Sequence, residues 1–217
     1  MSKITFLIDG FNLYHSILEA SVFFSAKTLK WLDLDGLCKN YIPTISNNLN
    51  HKFDSYDIYY FTSPATHLQK NDPGKILRHN KYIECLRDSG IVDIQGRFKA
   101  KTVFCYKCKQ KIIKFEEKET DVAISIKLIE LFHSDDDCNC VVIVTGDTDI
   151  APAIRTAKLL FPQKFIVVCF PFKRKNKELS SLCHFSFKMD KNVYNASQLP
   201  DPYTKKDGSQ VIKPTEW

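Results

Sequence analysis

The sequence predicts an open, doubly wound α/β fold with a central, mostly parallel sheet, on three observations. Short β-branched runs recur and end in turn or acidic residues: ITFLID (4–9), YDIYYFTS (56–63), IVDIQGRF (91–98), VVIVTGD (141–147) and FIVVCFP (165–171). Runs that stay apolar, rather than alternating, suit strands buried on both faces, the habit of a parallel sheet. Stretches with helical spacing lie between them, which implies βαβ units with right-handed crossovers.

Taken in order, ITFLID supplies the first strand, and Leu13, Ile17 and Leu18 share a face of the helix after it. Leu34, Leu37, Tyr41 and Ile45 recur at helical spacing before the second strand, as do Ile76, Ile83 and Leu86 before the third. Residues 97–118 interrupt the alternation. There TVF and IIKF flank a tight polar turn, a two-stranded β-hairpin too short for an independent domain. DVAISIKLIELF (121–132) places Val122, Ile126, Ile129 and Leu131 along the next helix, and Asp149 to Leu160 reads as another. One domain over 1–194 accounts for these elements. The prolines and polar residues of LPDPYTKKDGSQ make 195–217 an extended or disordered tail.

Composition narrows the class. With 44% hydrophobic and 26% charged residues in 217, the chain is neither collagen, coiled coil nor wholesale disorder. Lysine and arginine number 31 against 25 acidic residues, so an anionic partner is compatible with the charge. Seven glycines argue against a glycine-rich phosphate loop. The opening MSKITFLIDGFN holds too short an apolar run for a signal peptide, and no later run is long enough for a membrane span. A cytoplasmic protein without a membrane partner is therefore expected, its eight cysteines reduced.

Four aspartates fall where such a sheet binds ligands. Asp9 follows the first strand and Asp147 follows VVIVTG, at the carboxyl edge, while Asp149 sits in the same turn and Asp121 opens a helix. Each alone is as well explained by helix capping. Together they are clustered carboxylates, which repel one another unless a divalent cation holds them ionised. Oxygen ligands of this kind suit Mg²⁺ or Mn²⁺, and the chemistry that follows is metal-assisted phosphodiester hydrolysis. Asn12, three residues after Asp9, either orients a ligand water or phosphate, or is a local cap.

The opening IDGFNLY, the central EEKETDVAISIKL (116–128) and the later VIVTGDTDIAPAI (142–154) together resemble the NYN domain, in the LabA-like or DUF88 branch of the PIN-like nucleases. The resemblance covers about Ile4 to Met189. It implies a PIN-like three-layer α/β fold and metal-dependent ribonuclease activity. By motif it assigns Asp9, Asp121, Asp147 and Asp149 to the acidic metal site and Asn12 beside it, with Thr145 and Thr148 as polar neighbours. Where many relatives carry an alanine and an aspartate late in the fold, this chain has Cys183 and His184, so no further acidic ligand is assigned there.

Two features remain. Cys105 and Cys108, C-Y-K-C in the hairpin, have the spacing of half a structural zinc site; Cys138 and Cys140 are candidates by type for the rest, and a second chain in a homodimer is another source. Two reduced thiols in a turn are the alternative. The hairpin is also basic, Arg97 and Lys99 among seven lysines and one arginine from Arg97 to Lys118, interleaved with Phe98, Phe104 and Tyr106. Lysines on one face would follow an RNA backbone while a ring stacks on a base; a charged edge that discourages strand association is the competing explanation. Lys173, Arg174 and Lys175 follow the FIVVCFP strand onto the catalytic edge. The resulting expectation is a ribonuclease acting on single-stranded or structured RNA. A non-catalytic RNA-binding or regulatory module and a small-nucleotide phosphohydrolase are the alternatives.

Overall fold

The computed structural model describes residues 1–24, 28–68, 72–107 and 109–217. Its first half runs β1 (Lys3–Asp9), α1 (Gly10–Ser21), α2 (Leu34–Leu49), β2 (Ser55–Thr62), α3 (Pro73–Ser89) and β3 (Val92–Gln95). A hairpin of β4 (Arg97–Cys105) and β5 (Gln110–Lys118) follows. The second half runs α4 (Thr120–Ser134), β6 (Cys138–Val144), α5 (Ala151–Leu160), β7 (Phe165–Phe170), α6 (Lys177–Leu182), β8 (Phe185–Lys188) and α7 (Lys191–Ala196), then β9 (Tyr203–Thr204) and β10 (Gln210–Val211).

Six strands form one sheet in the order β3-β2-β1-β6-β7-β8, and every neighbouring pair is parallel. The helices cover both faces, which is why the strands read as continuous apolar runs. From β1, Ile4, Phe6 and Ile8 pack with residues of α1, α2 and α3, while Leu7 joins residues of α4 and α5 on the opposite face. The result is the three-layer α/β fold. Its functional consequence lies at β1 and β6. The chain builds outward from β1 in one direction and from β6 in the other, so their carboxyl ends flank a topological switch point, where such sheets leave a ligand crevice. Among the described residues no helix is long and apolar enough to cross a membrane.

Three details depart from the sequence reading. The run 91–98 is not one strand: it breaks at Gly96, whose amide donates to Thr62 O at 2.9 Å. A Cβ there would lie 2.8 Å from Ser63 Oγ and 2.9 Å from Lys118 O, so only glycine lets the hairpin leave the sheet at this point. In α4 the buried face is Ile124, Leu128, Leu131 and Phe132, while Val122 and Ile126 are 61% and 60% exposed. That helix is apolar on several faces, so spacing alone does not choose the core side. FSFK (185–188) adds an edge strand, β8.

The chain's final segment, 195–217, is anchored to the domain. Leu199 N donates to Trp31 O at 2.8 Å, Val211 is buried, and the Trp217 ring lies 6.2 Å from that of Trp31 and 5.7 Å from that of Tyr82. A few apolar residues in a polar stretch find a prepared surface, a contact that composition does not report.

Candidate active site

The switch point is held together by side chains of the site itself. Asp9 ends β1 and is 4% exposed. Its Oδ1 accepts from Asn12 N at 2.9 Å, capping α1, and its Oδ2 accepts from Thr145 Oγ1 at 2.8 Å. Thr145 Oγ1 also accepts from Asp147 N at 3.1 Å, and Asn12 Oδ1 accepts from Gly146 N at 3.1 Å. The loop after β6 is thus tied to the start of α1 through both Thr145 and Asn12. Asp147 Oδ1 accepts from Asp149 N at 3.0 Å and so caps the short turn that leads into α5. Asp121 lies in the first turn of α4, just after Glu119, whose φ of 80° brings the chain sharply out of the hairpin.

These carboxylates feel one another. Burial pushes the Asp9 pKa up to about 6; the bonds from Asn12 and Thr145 oppose the rise, and the charges of Glu117 and Asp147 add to it. Asp121 is also pushed up to about 6, first by burial and then by Asp147, Asp9 and Asp149. Glu117 is raised by burial, with help from Asp121 and against hydrogen bonding. Among the described residues, no three His, Cys, Asp or Glu side chains stand close enough to grip a metal directly. The donors are nonetheless all carboxylate oxygens. That set fits Mg²⁺ or Mn²⁺, which keep their own waters and need one or two direct carboxylates rather than a closed cage.

Residues 3–190 match the model of the NYN domain. The chain belongs to the NYN domain family. The family places it in the PIN-like nuclease superfamily. Among proteins with curated names, this NYN domain is 26% identical to 6-hydroxy-3-succinoylpyridine 3-monooxygenase HspA of Pseudomonas putida (strain DSM 28022 / S16), over 97% of this chain and 73% of that protein. Among solved structures it resembles a protein of unknown function from Vibrio parahaemolyticus RIMD 2210633. The TM-score is 0.54 at 16% identity, covering 87% of this chain and 93% of the other. That likeness concerns the fold alone.

Asp9, Asn12, Asp121, Thr145, Asp147 and Asp149 are brought to one place in this NYN domain, and Thr148 lies in the same turn. The basic candidates are more dispersed in their partners. A Cβ on Gly146 would run into the backbone carbonyl of Arg174, so the segment after β7 packs directly on the acidic loop. The Arg174 guanidinium, however, donates to Glu19 at 2.6 Å, and Lys173 lies 5.2 Å from the ring of Phe23 and 4.0 Å from Glu19. Lys175 is exposed. Arg97 pairs with Glu119 at 2.7 Å, which fixes the hairpin's base beside Asp121, and Lys99 is exposed. Of the thiols, Cys138 and Cys140 are fully buried in β6, so neither is presented to the hairpin; Cys105 is half-buried and Cys108 lies outside the described residues. His184 is occupied structurally, its Nδ1 accepting from Ile166 N at 3.0 Å.

Glu117 is the residue that sequence reasoning missed. In the hairpin register it faces Phe98, while Glu116 faces Lys99, so the adjacent acids point to opposite sides. Glu116 joins Lys101 and Lys118 on the basic face. Glu117 turns inward, accepts from Thr120 Oγ1 at 2.9 Å, and adds its charge to the field at Asp9. Strand alternation carried through the whole hairpin would have found it. Gly10 and Glu117 also line a cavity of about 350 Å³ beside the carboxylates.

Proposed function

We propose that this NYN domain is a metal-dependent ribonuclease that hydrolyses RNA phosphodiester bonds. The observation that carries the reading is the meeting of Asp9, Asp121, Asp147 and Asp149 at the sheet's switch point, where burial first and then the charges of the other three lift Asp121 to about 6. Asp9 and Asp121 lose their protons before neutral pH, so at pH 7 the site is an anionic pocket that calls for a cation. Asp9, Asp121, Asp147 and Asp149 would hold Mg²⁺ or Mn²⁺; bound there, the ion supplies an activated water and neutralises charge on the phosphate.

The chain's own residues do the positioning. Thr145 and the Asn12 amide hold both oxygens of Asp9, and Asn12 holds the loop that presents Asp147. The basic hairpin face, Arg97, Lys99 and Lys101 with Lys114 and Lys118 across the ladder, supplies an electrostatic track for a polymer. The test is a labelled single-stranded RNA incubated with the protein in chelator and then with excess Mn²⁺. Cleavage only with Mn²⁺ supports the reading, and binding without turnover under both conditions replaces it with a non-catalytic RNA-binding module.

A second reading is turnover of a small aromatic compound. It is favoured by the cavity that shares Glu117 and Gly10 with the site, and by the name of the Pseudomonas putida relative, whose substrate is a substituted pyridine. Its signature is consumption of such a compound by a protein that leaves RNA intact.

A further inference from the structure

The cavity beside the carboxylates is built for a ligand that the phosphodiester reaction does not require. Its walls include six aromatic rings, Phe11, Tyr14, Tyr60, Tyr82, Phe98 and Trp217, and three cations reach the same space: Lys30, Lys75 and Arg78. We propose that this cavity binds a planar aromatic anion, a flat ring carrying a carboxylate or a phosphate, with the ring among the aromatic walls and the charge against Lys30 and Lys75.

Size and charge support it. About 350 Å³ accommodates a ring with a small substituent and lies within the range of small-molecule sites. Aromatic walls favour a flat partner through offset or edge-to-face packing. The cations are unequally satisfied. Arg78 is paired with Asp72 and with Glu216, each at 3.1 Å. Among the described residues, Lys30 and Lys75 have no ion pair within 4.0 Å; Lys30 instead lies 5.7 Å from the Tyr14 ring and 5.9 Å from the Trp217 ring. Burial, then the charges of Arg78 and Lys75, disfavour its protonated form. An anion between Lys30 and Lys75 relieves that repulsion.

Three carboxylates, Asp72, Glu117 and Glu216, also line the cavity. Asp72 and Glu216 are paired with Arg78, which leaves Lys30 and Lys75 as the cations for the ligand's anionic group. Ser63 lines the same cavity, and its hydroxyl helps to hold the Glu117 carboxylate ionised.

The inference does not depend on the ribonuclease reading, and its test keeps the two apart. Trp217 lines the cavity, so tryptophan fluorescence reports occupancy. The protein is titrated with nicotinate and its neutral counterpart nicotinamide, and with uridine 5′-monophosphate and uridine. The expected result is saturable binding of at least one anion, about tenfold or more tighter than its neutral partner. Saturation by nicotinate marks a carboxylate ligand, and saturation by the monophosphate alone marks a nucleotide. Lys30→Gln with Lys75→Gln should erase the preference at an unchanged melting temperature; if that pair does not fold, Lys75→Gln alone should weaken anion binding at least about threefold. Asp147→Asn should bind as tightly as the wild type, whatever it does to RNA cleavage. Equal affinity for charged and neutral partners, no saturation by any of the four, or lysine variants that bind unchanged would overturn the proposal.

Discussion

Asp9→Asn isolates the cost of holding a buried charge at the switch point. In the folded protein Asp9 titrates near about 6 against an ordinary value of 3.8, because burial removes its water more effectively than Asn12 and Thr145 replace it. Ionising it there costs about 3 kcal/mol more than in the unfolded chain, at about 1.36 kcal/mol per tenfold change in acidity. A raised folded pKa means that the wild type has its full stability below about pH 4 and gives it up as pH rises through about 6. Asparagine is neutral throughout and keeps an acceptor for the Asn12 amide. In chelator near neutral pH the variant should therefore melt above the wild type, by up to about 6–12 °C at about 2–4 °C per kcal/mol for a chain of this size. At about pH 4 the two should coincide, or the variant should melt lower. Excess Mn²⁺ should close the gap at neutral pH, since about a hundredfold excess over Kd is worth about 2.7 kcal/mol to the wild type. Thermal melts at the two pH values decide it. A difference that does not change with pH would refute the buried-charge argument.

Three further outcomes follow from the same geometry. Gly146→Ala drives a Cβ into the Arg174 carbonyl and should cost about 1–3 kcal/mol, read as a lower melting temperature. Asn12→Ala leaves the Gly146 amide without its acceptor and should cost about 1–3 kcal/mol in urea unfolding, with reduced cleavage because the loop carrying Asp147 loosens. Replacing Lys99 and Lys175 with glutamine should reduce the slope of log affinity for single-stranded RNA against log salt by about 1.4, if each lysine meets a phosphate. Binding by filter retention in chelator measures that slope.

The sheet was legible in the sequence because β6 and β7 are buried on both faces and carry almost nothing polar; VVIV and FIVVCF have few other ways to fold. The aspartates were legible for the same reason, since an acidic residue ending such a strand must emerge at the carboxyl edge. Other features depend on pairings that no local pattern reports. Glu117 belongs to the site only through the hairpin register that sets it opposite Phe98. The core face of α4 is chosen by β6 and α5, since that helix offers apolar residues on several sides. Trp217 is separated in sequence from Trp31 and Tyr82, the rings it packs on, so the anchoring of the final segment was invisible to composition. The charge balance is likewise local. An excess of six positive charges is the net of an acidic switch point and a basic hairpin face beside it.

The central claim is that the clustered aspartates carry phosphodiester hydrolysis, and the rate of Mn²⁺-dependent cleavage of a fluorescent single-stranded RNA by wild type and by Asp147→Asn tests it most directly. Loss of a carboxylate worth several kcal/mol to the reaction predicts a fall of at least about a hundredfold, with the fold intact by circular dichroism. Equal rates for the two proteins, or cleavage that persists undiminished in chelator, would contradict it.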